Sequence, residues 1–290
     1  MTFAAGVTSK TISVPVLGDT SVESDETFSL VLSAPTNATL GATDSSVITI
    51  SNDDADAVSV LFPEDKRSYD FELPLTEQAD SADGSPLNEK LLGLGGDDTL
   101  SGKEGNDYLD GGANNDTLLG DSGDDYILGG DGLDSIWGGD GQDSINGGSG
   151  NNQLYGETGN DLLVSGAGND LLDGGNGIDT ITSGAGADKI QYAAITDSGL
   201  GVSLRDVITD FDTGSGDVID LYQLSDTPLN YLGMTAFDGT HDAVRFSIDV
   251  ANKQTIIQLD LNGDKTADME IELIGVKILS ANDFLLAVPS

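Results

Sequence analysis

The chain has no cysteine, one histidine and one tryptophan among its 290 residues. Without cysteine there can be no disulfide framework, thiolate metal site or cysteine nucleophile. Positive charge is also scarce. Lys and Arg total 11 against 51 Asp and Glu, a formal net charge of −40. Phosphate backbones require a basic footprint, so no nucleic-acid partner is expected, and an anionic membrane surface is disfavoured for the same reason. No apolar run approaches the ~20 residues that span a bilayer, so no transmembrane segment is expected. The N-terminus, MTFAAGVTSKTISV, lacks a charged region followed by an apolar core, so no cleaved signal peptide is expected. The catalytic patterns HExxH and GxSxG are absent, and His241 in FDGTHDAVRF reads as a turn or surface residue. Acid pairs of the kind glycosidases use are not ruled out by number, but the pattern described next assigns nearly all the acids, and no enzyme activity is expected.

What the chain has is an internal period. From Gly93 to Gln191 it reads in nines: GLGGDDTLS, GKEGNDYLD, GGANNDTLL, GDSGDDYIL, GGDGLDSIW, GGDGQDSIN, GGSGNNQLY, GETGNDLLV, SGAGNDLLD, GGNGIDTIT, SGAGADKIQ. Place one is Gly in nine of the eleven units, with Ser165 and Ser183 as exceptions. Place four is Gly in ten, with Asn114 as the exception. Place eight is Leu or Ile in all eleven. Glycine supplies the positive φ of a tight turn, and Asn is the best substitute there. Places seven to nine predict a short strand whose middle residue points inward. Two units make one 18-residue coil, so successive units fall on opposite sheets. The predicted fold class is therefore all-β, a parallel β-roll over 93–191, five and a half coils or roughly 26 Å long.

Place six is Asp98, Asp107, Asp116, Asp125, Asp134, Asp143, Asn152, Asp161, Asp170, Asp179 and Asp188. Turns 18 residues apart stack, which brings these carboxylates together, and they repel unless a cation lies between them. Calcium takes six to eight oxygens from carboxylates and carbonyls, and glycine-rich turns expose carbonyls. Transition metals would want imidazole or thiolate, which this segment lacks. Residues 93–191 hold 19 acids and two bases, Lys103 and Lys189. The metal-free array should thus repel itself, and calcium binding and folding should be one event. The units resemble the RTX calcium-binding repeat family. That resemblance implies Ca2+ as cofactor, shared between place six of units i and i+2. Eleven units give nine such pairs, two of them weakened by Asn152. The preceding GSPLNEKLL keeps Leu91 and reads as a degenerate cap.

The flanks carry further resemblances. Residues 1–54 read as strands (TISVPVL, FSLVLS, VITI) and resemble the second half of a Calx-beta domain, a calcium-binding β-sandwich. Glu23, Asp25, Glu26, Asp53 and Asp54 match its acidic places, as a working site or a solvated turn. Residues 55–92 read as a linker with one strand, AVSVLF, and the degenerate cap. Residues 192–290 resemble the β-rich C-terminal region of serralysin-type proteins, which implies a type I secretion signal. The matching residues are Asp206, Asp210, Phe211, Asp217 and Asp220 in a first piece, and Asp260, Asn262, Asp264 and Asp268, with Leu279, Asp283 and Phe284, in a second. Asp260, Asn262, Asp264 and Asp268 in DLNGDKTAD start like an EF-hand loop but lack its Glu at place twelve, so a hairpin turn competes with a cation site. Outward places form ladders of Leu119, Trp137 and Tyr155 on one face, and Tyr108 and Tyr126, with Leu128 nearby, on the other. These read as cross-strand stabilisation or as an apolar, sugar-stacking patch for a cell-surface or glycan ligand. The expected protein is secreted through type I machinery to the extracellular space or cell surface. It would be the C-terminal end of an adhesin or the export tail of a secreted enzyme.

Overall fold

The computed structural model describes the strands at 26–31 and 45–50 and the chain through 68–287. The chain divides into two compact units, Met1–Val60 and Leu61–Ser290. In the first, β1 (Glu26–Val31) pairs antiparallel with β2 (Ser45–Ile50), with Phe28 opposite Ile48. These are the FSLVLS and VITI segments. The remainder of the expected 1–54 sandwich and the AVSVLF segment lie outside the described residues.

The second unit is the expected parallel β-roll, longer at both ends than the eleven units. It opens with β3 (Phe71–Pro74), β4 (Ser81–Asp83) and β5 (Glu89–Leu92). Seven six-residue strands follow: β6 (Thr99–Glu104), β7 (Tyr108–Ala113), β8 (Thr117–Ser122), β9 (Tyr126–Asp131), β10 (Ser135–Asp140), β11 (Ser144–Ser149) and β12 (Gln153–Thr158). Then come the three-residue β13 (Leu162–Val164), β14 (Leu171–Asp173), β15 (Thr180–Thr182) and β16 (Lys189–Gln191). The longer strands differ from the expected three residues because pairing continues through places two and three of the following unit, as in Gly139↔Glu157 and Asp140↔Thr158. Even-numbered strands stack on one sheet and odd-numbered strands on the other.

Place eight points inward throughout. Leu91, Leu100, Leu109, Leu118, Ile127 and Ile136 are all fully buried, and the row continues unbroken to Ile190. One apolar side chain per unit thus fills the gap between the sheets.

The ladder runs on past Gln191. β17 (Asp206–Ile208) pairs parallel with β15, and β18 (Val218–Asp220) with β16. A cap follows: β19 (Asn230–Tyr231), β20 (Ala243–Asp249), β21 (Gln254–Asp260), β22 (Met269–Ile274) and β23 (Phe284–Leu285). β20, β21 and β22 form an antiparallel meander, and β22 and β23 also close the roll by pairing parallel with β17 and β18. With nine parallel rungs in the smaller sheet, the roll is about 38 Å long. Phe211, Leu221, Val244, Phe246, Ile257, Met269 and Phe284 continue the apolar core into the cap.

Candidate metal centres

Every place-six residue from Asp98 to Asp188 is buried. Its two side-chain oxygens have separate environments. Oδ1 accepts the main-chain N–H of the place-six residue one coil earlier. Asp98 N donates to Asp116 at 2.8 Å, Asp116 N to Asp134 at 2.9 Å, and Asp170 N to Asp188 at 3.0 Å. On the other edge Asp107 N donates to Asp125 at 2.7 Å, Asp125 N to Asp143 at 2.7 Å, and Asp161 N to Asp179 at 2.8 Å. The expected stacking of aspartates 18 residues apart is therefore present, with a main-chain hydrogen bond as the link.

Oδ2 has no such bond at Asp98, Asp116, Asp134, Asp161, Asp170, Asp179, Asp188 or Asp206. A buried oxygen left bare costs roughly 1–3 kcal/mol, and more when charged. At Asp98, Asp116, Asp134, Asp161 and Asp179 this oxygen faces the glycine at place one of its own unit, whereas Asp170 and Asp188 have Ser165 and Ser183 there. A methyl group placed on Gly93 would lie 2.4 Å from Asp98 Oδ2 and 2.4 Å from the carbonyl oxygen of Gly111. On Gly156 it would lie 2.5 Å from Asp161 Oδ2 and 2.4 Å from Gly174 O. Carboxylate and carbonyl oxygens thus converge on one small volume per turn, a donor set of the hard-cation type. Among the described residues no three His, Cys, Asp or Glu side chains converge on a common point. A cation held here must draw main-chain oxygens, which suits calcium and not a transition metal.

Burial and neighbouring carboxylates raise the pKa of these carboxyls. Burial pushes Asp116 to about 7; the Asp98 N–H opposes this, and repulsion from Asp134, Asp98 and Asp97 adds to it. Burial pushes Asp161 and Asp179 to about 7, and Asp134 and Asp188 to about 6. Asp206 reaches about 9, through burial first and the neighbouring Asp179 second. Asn152 breaks the series. Its Oδ1 accepts Asp134 N at 2.9 Å, like its neighbours, but the atom turned to the turn is Nδ2, an amide donor with no acceptor.

Four further residues occupy the same place. Asp80 N donates to Asp98 Oδ1 at 2.7 Å and Glu89 N to Asp107 Oδ1 at 2.7 Å. Asp179 N donates to Asp206 Oδ1 at 2.8 Å and Asp188 N to Asp217 Oδ1 at 3.2 Å. Asp80 and Glu89 lie outside the eleven units, yet each stands 18 residues before a place-six aspartate. Place five carries a second ladder that the nine-residue pattern does not announce. Asn88, Asp97, Asn106, Asn115, Asp124, Asn151, Asn160 and Asn169 each accept the N–H of place five one coil later, for example Asp124 N to Asn106 Oδ1 at 3.0 Å. This outer ladder links each turn to the one a coil away through hydrogen bonds.

The flanking candidates behave differently. Asp260 is buried at the β21–β22 hairpin. Its Oδ1 accepts Gly263 N at 2.7 Å and Asp264 N at 3.2 Å, and its Oδ2 accepts Lys265 N at 2.9 Å. Asp268 accepts Leu261 N at 2.7 Å and Asn262 Nδ2 at 2.9 Å, and Asp264 accepts Thr266 N at 2.8 Å. These carboxylates are engaged by the loop's own donors. Glu26 opens β1, whereas Glu23, Asp25, Asp53 and Asp54 lie outside the described residues. His241 is exposed, with Nδ1 2.7 Å from Thr240 Oγ1. The outward ladders are stacked pairs: Trp137 and Tyr155 lie 5.4 Å apart at 11°, and Tyr108 and Tyr126 5.4 Å apart at 12°.

Two family models match the chain. One, described as the peptidase M10 serralysin C terminal, covers residues 100–286, and the other, the Calx-beta domain, covers residues 1–54. Solved structures similar to this chain include two subunits of the Azotobacter vinelandii mannuronan C5-epimerase. AlgE6R2 is 28% identical with a TM-score of 0.39, covering 51% of this chain and 90% of its own. AlgE6R3 is 29% identical with a TM-score of 0.33, covering 61% of this chain and 81% of its own. No curated protein matches.

Proposed function

The chain belongs to the peptidase M10 serralysin C-terminal family, and from that premise we propose that it is a calcium-binding repeat module that folds as a β-roll on meeting calcium outside the cell. One observation carries the reading. In turn after turn, a buried aspartate keeps one oxygen without a hydrogen bond and aims it where a glycine carbonyl also points. Bound calcium would supply the positive charge these turns lack. Asp98, Asp116, Asp134, Asp161, Asp170, Asp179 and Asp188 would hold it through Oδ2, with main-chain oxygens of the place-one residues, glycine in most units and Ser165 and Ser183 in two. Asp107, Asp125 and Asp143 occupy the equivalent places. Asn152 offers an amide nitrogen and weakens the two turn pairs it enters. The Asp260–Asp268 loop is assigned to turn closure, because its carboxylates are already engaged.

In this reading the roll includes 71–92 and 206–220 as well as 93–191, and the rest of 192–290 caps it. Type I secretion machinery would be the export partner, threading a chain that low cytoplasmic calcium keeps open. The Calx-beta match over 1–54 supports the end of a surface adhesin. The family's own description, a peptidase C terminus, supports an export tail of a secreted enzyme as the second reading. Freed of calcium at neutral pH, the full chain should give coil-like circular dichroism and gain β signal as calcium is added. Magnesium at the same concentration should fail to do so, because it demands tighter octahedral geometry. A β signal that persists in excess chelator would defeat the proposal.

A further inference from the structure

The even-numbered sheet carries an unusual row on its outer face. Place two lies in the left-handed region of φ, where a side chain costs of order 1–2 kcal/mol and glycine costs little. Most units accordingly have glycine there. Lys103 (φ 77°), Asp121 (φ 72°) and Glu157 (φ 72°) do not. All three fall on one row of this sheet, in register across β6, β8, β10 and β12, with Gly139 between the last two. The odd-numbered sheet has a single such residue, Leu94 (φ 70°). Backbone strain gathered in one row points to use; Asp121 and Lys103 have local partners in Ser101 and Asp83, whereas Glu157 makes no side-chain hydrogen bond or ion pair among the described residues.

The strained row borders the aromatic ladder. Residues i and i+2 share a face, so Trp137 stands beside Gly139 and Tyr155 beside Glu157. A side chain at Gly139 is forbidden, since its Cβ would lie 2.0 Å from the carbonyl oxygen of Asp121. The gap leaves an open recess of about 370 Å³ lined by Thr117, Leu119, Asp121, Trp137, Gly139 and Glu157. A second recess of about 470 Å³ adjoins it through Asp121 and reaches Lys103 and Asp83. Together they run from β4 to β12, four rung spacings or about 19 Å.

We propose that this groove binds a neutral oligosaccharide, its sugar rings packed against Trp137 and its hydroxyls bound by Asp121, Glu157 and Lys103. The charges choose among ligands. Lys103 Nζ lies 3.4 Å from Asp83 and 4.0 Å from Asp121, so donor and acceptor alternate along the groove. Asp83, Asp121 and Glu157 repel a polyanion, while Lys103, held between Asp83 and Asp121, keeps a hydrogen-bond donor in the row. Vicinal hydroxyls use both kinds of partner, and hydroxyl-to-carboxylate bonds are the strong sort. An aromatic wall with a few placed polar groups is the usual make-up of such a site.

The proposal rests on the calcium-folded roll, and its test separates the two. Trp137 is the sole tryptophan, so its emission reports the groove directly. The full chain in calcium would be titrated with cellohexaose, mannohexaose and laminarihexaose, with mannuronate and chitosan hexamers alongside. A neutral hexamer should shift the emission saturably. Glu157→Gly should weaken that binding at least about tenfold while leaving the thermal midpoint unchanged or higher, because glycine relieves the strained φ. A side chain kept only for structure would not separate binding from stability in this way. No shift with any neutral hexamer at about 10 mM, a weak-binding limit, would overturn the proposal. A shift with only the charged hexamers, or undiminished binding by Glu157→Gly, would also overturn it. Failure of the calcium reading would appear separately, as circular dichroism that calcium does not change.

Discussion

At the residue scale, each place-six aspartate divides its two oxygens between two tasks. Oδ1 is committed to a main-chain N–H, and Oδ2 is buried in the turn. The metal-free roll therefore favours the protonated acid. Burial raises Asp116, Asp161 and Asp179 from 3.8 to about 7, and Asp134 and Asp188 to about 6. A raised folded-state value means that the folded roll binds more protons than the unfolded chain across this window. The stability these groups contribute is fully present below about 4 and is lost as pH rises through about 6 to 7. Calcium acts in the opposite sense, since its ligands must be ionised. The calcium-free chain should thus hold more β structure at about pH 5 than at about pH 8, and the calcium requirement should emerge between them. Circular dichroism of calcium-free protein across that range is the check. A β signal equal at both ends, or larger at pH 8, would contradict the assignment of charge to these turns.

At the element scale, the central rungs were legible because a strict nine-residue period writes both the turn and the inward side chain into each unit. Leu100 and Ile136 are buried for the same reason that Gly96 and Gly132 turn the chain. The terminal rungs hid behind broken spacing. Asp206 follows Asp179 by 27 residues and Asp217 follows Asp188 by 29, where the period asks for 18. At the other end Glu89 fills the aspartate place with a longer side chain. The place-five ladder was illegible because it needs only an oxygen, which Asn and Asp both supply at a place that looks variable. The cap is joined to the roll by an element no period could reveal. Arg205, just before β17, lies 2.7 Å from Glu272 and 3.2 Å from Glu270 on β22, and all three side chains are largely buried. Removing the guanidinium leaves two carboxylates facing one another, so Arg205→Ala should cost about 3–5 kcal/mol in the calcium-loaded protein. Adding Glu272→Gln should recover part of this in chemical denaturation. A double variant no more stable than Arg205→Ala would mean that the arginine acts through packing alone.

At the scale of the whole molecule, a solenoid is a nearly one-dimensional object in which each rung touches only its neighbours. Its stability then depends on its ends, and the two ends of this roll differ. At the C-terminal end β22 and β23 complete the sheets, and Phe211, Leu221, Phe246, Met269 and Phe284 extend the core. At the other end the last rungs are β3 and β4, where Ala82 stands at the inward place of β4 and Leu73 on β3 is 38% exposed. Charge adds to the difference. The repeats alone carry 19 acids against two bases, so on the proposed reading each rung that loses its cation would restore repulsion with its neighbours. Loss of calcium should therefore open the roll from β3 and β4 toward the cap, not all at once. Amide exchange at limiting calcium measures this directly: protection should fall first in β4 to β6 and last in β15 to β18. Uniform loss along the roll would show that the rungs unfold as one cooperative block. Loss beginning at β17 and β18 would show that the cap does not anchor the roll.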